Sequence, residues 1–317
     1  MRKVEVIIKN TGEHRQVEIG TPLTAIAPEG ERPWLGALVN NHVQNLNYCL
    51  FKPKTVQFLD IRDKQGWYAY ANSLCFMLHK AVRDTFPEAR LIVEHTLING
   101  FFCRIVPKSD DVLPLPEQAV VAAKVHARME KLQQLDLYFE SRSMLREDAI
   151  ELAKIADLPK TQQLLEHITD MYVDMQYLED AIHHTNTILV PTTGCLKFWD
   201  FRPYDTGYLL LCSNGEQEVQ PVVEKTKLFD VFQEHRQWVR LLHTTTISDL
   251  NRIVRDKGAN HLIQVAEALH EKKYAEIIVR LSTLLRFATE IKEMDINPLL
   301  ADENDVVAVD ARILIEK

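Results

Sequence analysis

The chain has 317 residues, 46% of them hydrophobic and 26% charged, with a formal net charge of -8 at pH 7. That length exceeds one ordinary core and predicts two or three domains of a soluble, globular kind, while the negative charge argues against a large sequence-independent nucleic-acid surface. No apolar run approaches the roughly 20 residues of a membrane span, and the opening MRKVEVIIKN alternates like a strand where a signal peptide would carry an apolar core. A cytoplasmic chain with no membrane partner is expected. The five cysteines, Cys49, Cys75, Cys103, Cys195 and Cys212, are widely spaced and form no C-x-x-C pair, so free, mostly buried thiols are expected.

In chain order, residues 3 to 9 and 14 to 19 form two alternating runs about Thr11-Gly12, which predicts a hairpin. Thr21-Pro22 has the form of an N-cap followed by proline at the first helical position and predicts a short helix. Strands are predicted over 36 to 40 and 55 to 61. Residues 67 to 86 carry Tyr70, Leu74, Met77, Leu78, Ala81 and Val82 at helical spacing up to Pro87. Strands over 90 to 95 and 101 to 106 flank the turn signal Asn99-Gly100. A proline-marked connector, 107 to 117, leads to helices near 117 to 135, 145 to 156 and 160 to 170. Extended segments are predicted at 187 to 190, 195 to 201 and 207 to 212, then three or four helices over 224 to 288, then strand over 291 to 315. The fold class expected is α+β.

Several stretches carry a resemblance. Residues 1 to 64, in the order strand, strand, helix, strand, strand, resemble a ubiquitin-like β-grasp module of the TGS type, and 65 to 223 resemble the second additional domain of threonyl-tRNA synthetase. The wording SLCFMLHKAVRDTFPEARLIVEH, NGFFCRI, LVPTTGCLKFWDF and SDLNRIVRDKGANHLIQVAEALHEKK resembles the synthetase-like N-terminal half of bacterial uridine kinase-type nucleoside kinases, with 224 to 275 as its helical segment. In the synthetases this domain edits mischarged serine with H-x-x-x-H on a helix and a facing C-x-x-x-H. Anchoring on Pro87 and on Val190-Pro191 sets those four positions at Asn72, Phe76, Thr185 and Leu189. None of these side chains binds zinc or acts as a general base near neutral pH, so the editing reaction is not expected here. His79, His95, His183 and His184 lie in the same segments and are read as surface or hydrogen-bonded core residues. The kinases also need G-x-x-x-x-G-K-[ST] to wrap the phosphates, and no such run occurs among these residues.

From about residue 276 the wording VRLSTLLRFATEIKEMDINPLLADENDVVAVDARI resembles the end of the ATP-grasp domain of NDP-forming acyl-CoA synthetases. In that family the closing strands hold magnesium against nucleotide phosphates. If DEND, 302 to 305, is a hairpin loop, Ala301 faces Val306 and Asn297 faces Asp310. Asp295, Asn297 and Asp310 then share one face, an oxygen-ligand set suited to Mg²⁺ brought with ATP. A surface ion pair of Asp295 with Arg312 is the structural alternative.

The reading that follows is a nucleotide-, nucleoside- or partner-binding accessory region with Thr192, Thr193, Lys197, Trp199, Arg202 and Tyr204 as its lining: cations for phosphate, rings for stacking. Three alternatives stay open. They are nucleoside kinase activity with the phosphate-binding part outside this chain, an RNA-binding module resting on a modest excess of Lys and Arg in the first module, and an ATP-grasp acyl-CoA synthetase fragment.

Overall fold

The computed structural model describes residues 2–97, 100–109, 114–213, 215, 219, 246–257, 291–296, 299–301, 306–308 and 311–315, with scattered positions between 231 and 286. In the C-terminal strands only Ile291 and Leu314 are described beyond the backbone. The chain divides into two compact units, Met1–Trp238 and Val239–Lys317. The architecture is mixed α+β with several separate sheets.

The first unit begins with a five-stranded sheet. β1 (Lys3–Ile8) and β2 (Glu13–Glu18) form the expected hairpin, while β4 (Gly36–Val39), β5 (His42–Gln44) and β7 (Lys54–Leu59) complete the order β2-β1-β7-β4-β5. β1 and β7 run parallel and every other pairing is antiparallel. Alternation in β1 buries Val4, Val6 and Ile8 on one face against Val56 and Phe58 of β7, which is why this hydrophobic pattern fixes the register. Thr21-Pro22 does not cap a helix. It forms β3, paired with β6 (Cys49–Leu50), and the Thr21 hydroxyl donates to Glu18 O at 2.8 Å. A single 3-10 turn, Leu23–Ile26, follows without a side-chain cap, and the Leu23 and Thr24 amides donate to Tyr48 O and Leu46 O at 3.0 Å.

Helix α1 (Lys64–Thr85) starts three residues before the apolar pattern does. Asp63 Oδ2 accepts from Asp60 N at 2.9 Å, and Trp67 N donates to Asp63 O at 2.8 Å, so a tight 60–63 loop launches the first turn. One face of α1 buries Tyr70, Leu74, Met77, Leu78 and Ala81 in the largest core cluster. That face packs against a four-stranded sheet ordered β13-β14-β9-β8, formed by β8 (Ala89–Leu97), β9 (Gly100–Pro107), β13 (Trp199–Tyr204) and β14 (Gly207–Cys212). Helix α2 (Gln118–Gln134) adds Val121, Val125, Met129 and Leu132 to the same core. Its Arg128 makes two bonds to Asp84 at the end of α1, and Asp84 also accepts from the buried Lys80 Nζ at 2.8 Å.

A third sheet was not expected. β10 (Glu140–Leu145), β11 (Tyr172–Leu178) and β12 (Ala181–His184) pair in that order and cover helices α3 (Arg146–Ile155) and α4 (Pro159–His167) through Ala149, Ala153, Leu165, Val173, Met175 and Ile182. The cysteines are all free thiols; Cys103 and Cys212 are buried, and Cys49, Cys75 and Cys195 partly so.

In the second unit, α5 (Ile247–Lys257) opens on a reciprocal cap. Thr246 N donates to Asp249 Oδ2 at 3.0 Å, and Asp249 N donates back to Thr246 Oγ1 at 3.1 Å. Most of the helices expected over 224 to 288 lie outside the described residues. β15 (Ile291–Ile296) pairs antiparallel with β18 (Ala311–Ile315), and β16 (Leu299–Ala301) with β17 (Val306–Ala308). Ala301 faces Val306 and Asp295 faces Arg312, the register expected for a hairpin closed by DEND. No helix among the described residues is long and apolar enough to cross a membrane.

Candidate functional site

The segment 183–190 lies along one face of α1. The Asn72 amide donates to Thr187 Oγ1 at 2.8 Å, and Thr187 Oγ1 lies 3.1 Å from Thr185 Oγ1. At the next residue, Ser73 Oγ donates to Ala69 O at 2.7 Å and accepts from Val190 N at 2.8 Å. Phe76 and Leu189 are buried in the common core. The fold therefore gathers the positions singled out by the synthetase resemblance onto one face of α1, and their chemistry there is an amide, a hydroxyl and two hydrocarbons. Thr187, which joins Asn72 to Thr185, escaped the sequence reading because it lies outside the H-x-x-x-H and C-x-x-x-H spacing. Among the described residues no group of three His, Cys, Asp or Glu is placed to hold a metal ion.

Two histidines border this face. The His183 ring centroid lies 5.3 Å from Phe76 and 6.5 Å from His79. Burial, then the charges of Arg83 and Lys108, lowers the His79 pKa to about 4. Burial, then His79 and His184, lowers that of His183 to about 4. Both rings are neutral near pH 7, so each offers one N–H donor and one ring-nitrogen acceptor.

The stretch 192–204 is spread over several environments. Thr193 is fully buried, its hydroxyl donating to Leu132 O at 2.6 Å and accepting from Leu137 N at 2.8 Å. Thr192 pairs with Tyr138 as an isolated bridge. Trp199 turns toward α2, where its indole N–H donates to Gln133 Oε1 at 3.1 Å and its ring lies 4.8 Å from His126. Arg202 Nε sits 3.3 Å from Asp200 Oδ2, an ion pair without hydrogen-bond geometry. Tyr204 packs on the opposite side of the sheet, edge-on to Phe102 at 6.5 Å.

Lys197 stands apart from these. It lines a recess of about 180 Å³ together with Glu31, Arg32, Pro33, Leu35 and Ile61 from the five-stranded sheet module, and Tyr70, Cys195 and Phe198. The floor is rigid: the Tyr70 hydroxyl donates to Phe198 O at 3.1 Å and accepts from Phe198 N at 2.9 Å. Arg32 is anchored by an Nη1 bond to Gly215 O. A guanidinium and an ammonium in the lining, against the one carboxylate of Glu31 and over apolar side chains, suit a phosphate carried on a planar or apolar body. Arg32 is separated from Lys197 by more than 160 residues, so no local motif announced their meeting. Of the C-terminal trio, Asp295 sits on β15 opposite Arg312, whereas Asn297 and Asp310 lie outside the described residues.

The chain is similar in sequence to threonine–tRNA ligases. It is 24% identical over 199 residues to that of Desulforamulus reducens, covering 61% of this chain and 30% of that protein. It is 25% identical over 182 residues to that of Clostridium tetani, covering 57% and 28%, and 23% identical over 212 residues to that of Coxiella burnetii, covering 64% and 30%. The chain thus spans less than a third of the length of these relatives. Residues 226–315 match the ATP-grasp domain family. That match takes in the helical segment as well as the closing strands, whereas the resemblance read from the sequence began near residue 276.

Proposed function

We propose that this chain is a synthetase-derived binding region for a nucleotide, in which the fold of an editing domain persists without its hydrolytic side chains, and that it is related to the accessory half of uridine kinase-type nucleoside kinases. Its modules are a TGS-like β-grasp domain over 1–64, an editing-domain-like region over 65–223, a helical segment over 224–275 and an ATP-grasp-like tail over 276–317. The parallel β1–β7 pair at the centre of a five-stranded mixed sheet supports the β-grasp reading.

The observation that carries the nucleotide reading is the recess in which Arg32 and Lys197 flank an apolar floor. Lys197 contacts phosphate there, and the nucleoside lies against Leu35 and Ile61. Thr192, Thr193, Trp199, Arg202 and Tyr204 hold the turn and strand that present Lys197. The ATP-grasp match of the tail supports a nucleotide with Mg²⁺, for which Asp295, Asn297 and Asp310 supply only oxygen donors, the chemistry that magnesium prefers. Asp295 stands opposite Arg312 in the backbone register of the strand pair.

The test is a thermal shift of the whole chain with UMP, ATP with and without Mg²⁺, uridine and tRNA. Stabilisation by UMP or ATP is expected, with a loss of about tenfold in affinity in Lys197→Glu, roughly 1.4 kcal/mol. No stabilisation by either nucleotide at millimolar concentration refutes the proposal. Transfer of labelled phosphate from ATP to uridine by the purified chain favours the kinase alternative instead.

A further inference from the structure

We infer that a second cavity, between the C-terminal half of α1, strand β8 and the first turn of α4, binds a small phosphate-bearing molecule with an apolar or planar body. It is separate from the Lys197 recess and does not depend on that reading.

The cavity measures about 200 Å³ and is walled by Val82, Leu91, Leu158 and Ile182, with four cations, Arg83, Arg90, Lys108 and Lys160, against the single carboxylate of Asp157. In a chain of net charge -8 such a local excess of positive charge is against the average. Two of the cations are committed: Arg83 Nη2 lies 3.0 Å from Asp180 Oδ2, and Lys108 Nζ lies 3.3 Å from Asp157 Oδ2. The other two have no carboxylate among the described residues. Arg90 donates only to Lys108 O, at 2.8 Å, and Lys160 stands exposed on the first turn of α4.

That turn adds to the field. α4 begins at Pro159, no side chain caps it, and residues Leu158 to Thr161 line the cavity, so the positive end of the helix dipole is presented to the same space. His79 and His183 also line the cavity, as neutral rings. The charges of Arg83 and Lys108 contribute, after burial, to keeping His79 uncharged. A bound phosphate offsets those charges and accepts hydrogen bonds from the imidazoles, so their protonation reports its arrival. The apolar wall supplies what inorganic phosphate alone leaves unfilled, which is why a phosphomonoester on a larger body is the class that fits.

The experiment follows the His79 and His183 ring signals by NMR in the full chain during addition of inorganic phosphate, UMP and uridine. Phosphate and UMP are expected to shift both rings saturably and to raise their pKa values from about 4, with UMP binding more tightly and uridine leaving them unmoved. Lys160→Glu and Arg90→Gln are each expected to weaken UMP binding at these reporters about tenfold, whereas Lys197→Glu leaves it unchanged. Lys160 is exposed, so its variant folds. Ring signals that ignore millimolar phosphate and UMP, that follow uridine as strongly as UMP, or that report equal affinity in Lys160→Glu overturn the proposal.

Discussion

His79 and His183 set a pH dependence for the whole of the first unit. In the unfolded chain each ring titrates near its ordinary value of about 6.5, and in the folded chain each is lowered to about 4, by burial first and by neighbouring positive charge second. Between those values the unfolded state binds protons that the native state refuses, so stability is highest above pH 6.5 and falls as the pH drops toward 4. The loss is on the order of 3 kcal/mol for each ring. Urea denaturation at pH 7 and pH 4 measures it, and the double variant His79→Phe and His183→Phe is expected to flatten the difference. From the sequence alone these histidines read as surface or hydrogen-bonded core residues. Their pairing across α1 and β12 brings together positions about a hundred residues apart, and it depends on a strand that the sequence pattern did not reveal. The thiols illustrate the converse. Their spacing alone predicted free cysteines, because a disulfide framework needs many paired cysteines at short range.

At the scale of elements, alternation and helical periodicity were enough wherever one face is buried and the other is wet. β1, β7 and α1 all show such a pattern, and all were read close to their observed bounds. The sheet of β10, β11 and β12 was missed for the opposite reason. β10 is exposed along almost its whole length, so ESRSML carries no apolar face to read, and β12 is only four residues long. These strands gain their stability from pairing with β11 and from helices α3 and α4, which are tertiary contacts. The start of α1 makes the same point in reverse. Gly66 sits so near the 60–63 loop that a Cβ placed there would meet Asp60 O at 1.9 Å. Gly66→Ala, a change that favours an isolated helix by about 1 kcal/mol, is therefore expected to destabilise the protein by roughly 2 kcal/mol or more. A rise in melting temperature for that variant contradicts the packing described at this turn.

At the scale of the molecule, the first unit holds all four described hydrophobic clusters between Val4 and Val219. A fragment of residues 1–238 is expected to unfold cooperatively and to retain the histidine titration; a fragment that lacks cooperative unfolding shows instead that the second unit is needed for the first to fold. By itself the sequence determined the α+β class, the free thiols and the register of the closing hairpin, because each depends on residue identity or on spacing within one or two elements. Only the tertiary structure decided that Arg32 and Lys197 line one recess, that Asn72 reaches Thr185 through Thr187, and that four cations surround one cavity beside two neutral histidines. Those meetings join residues separated by tens to well over a hundred positions, and burial, which sets both the histidine protonation and the local field, exists only once distant segments have packed.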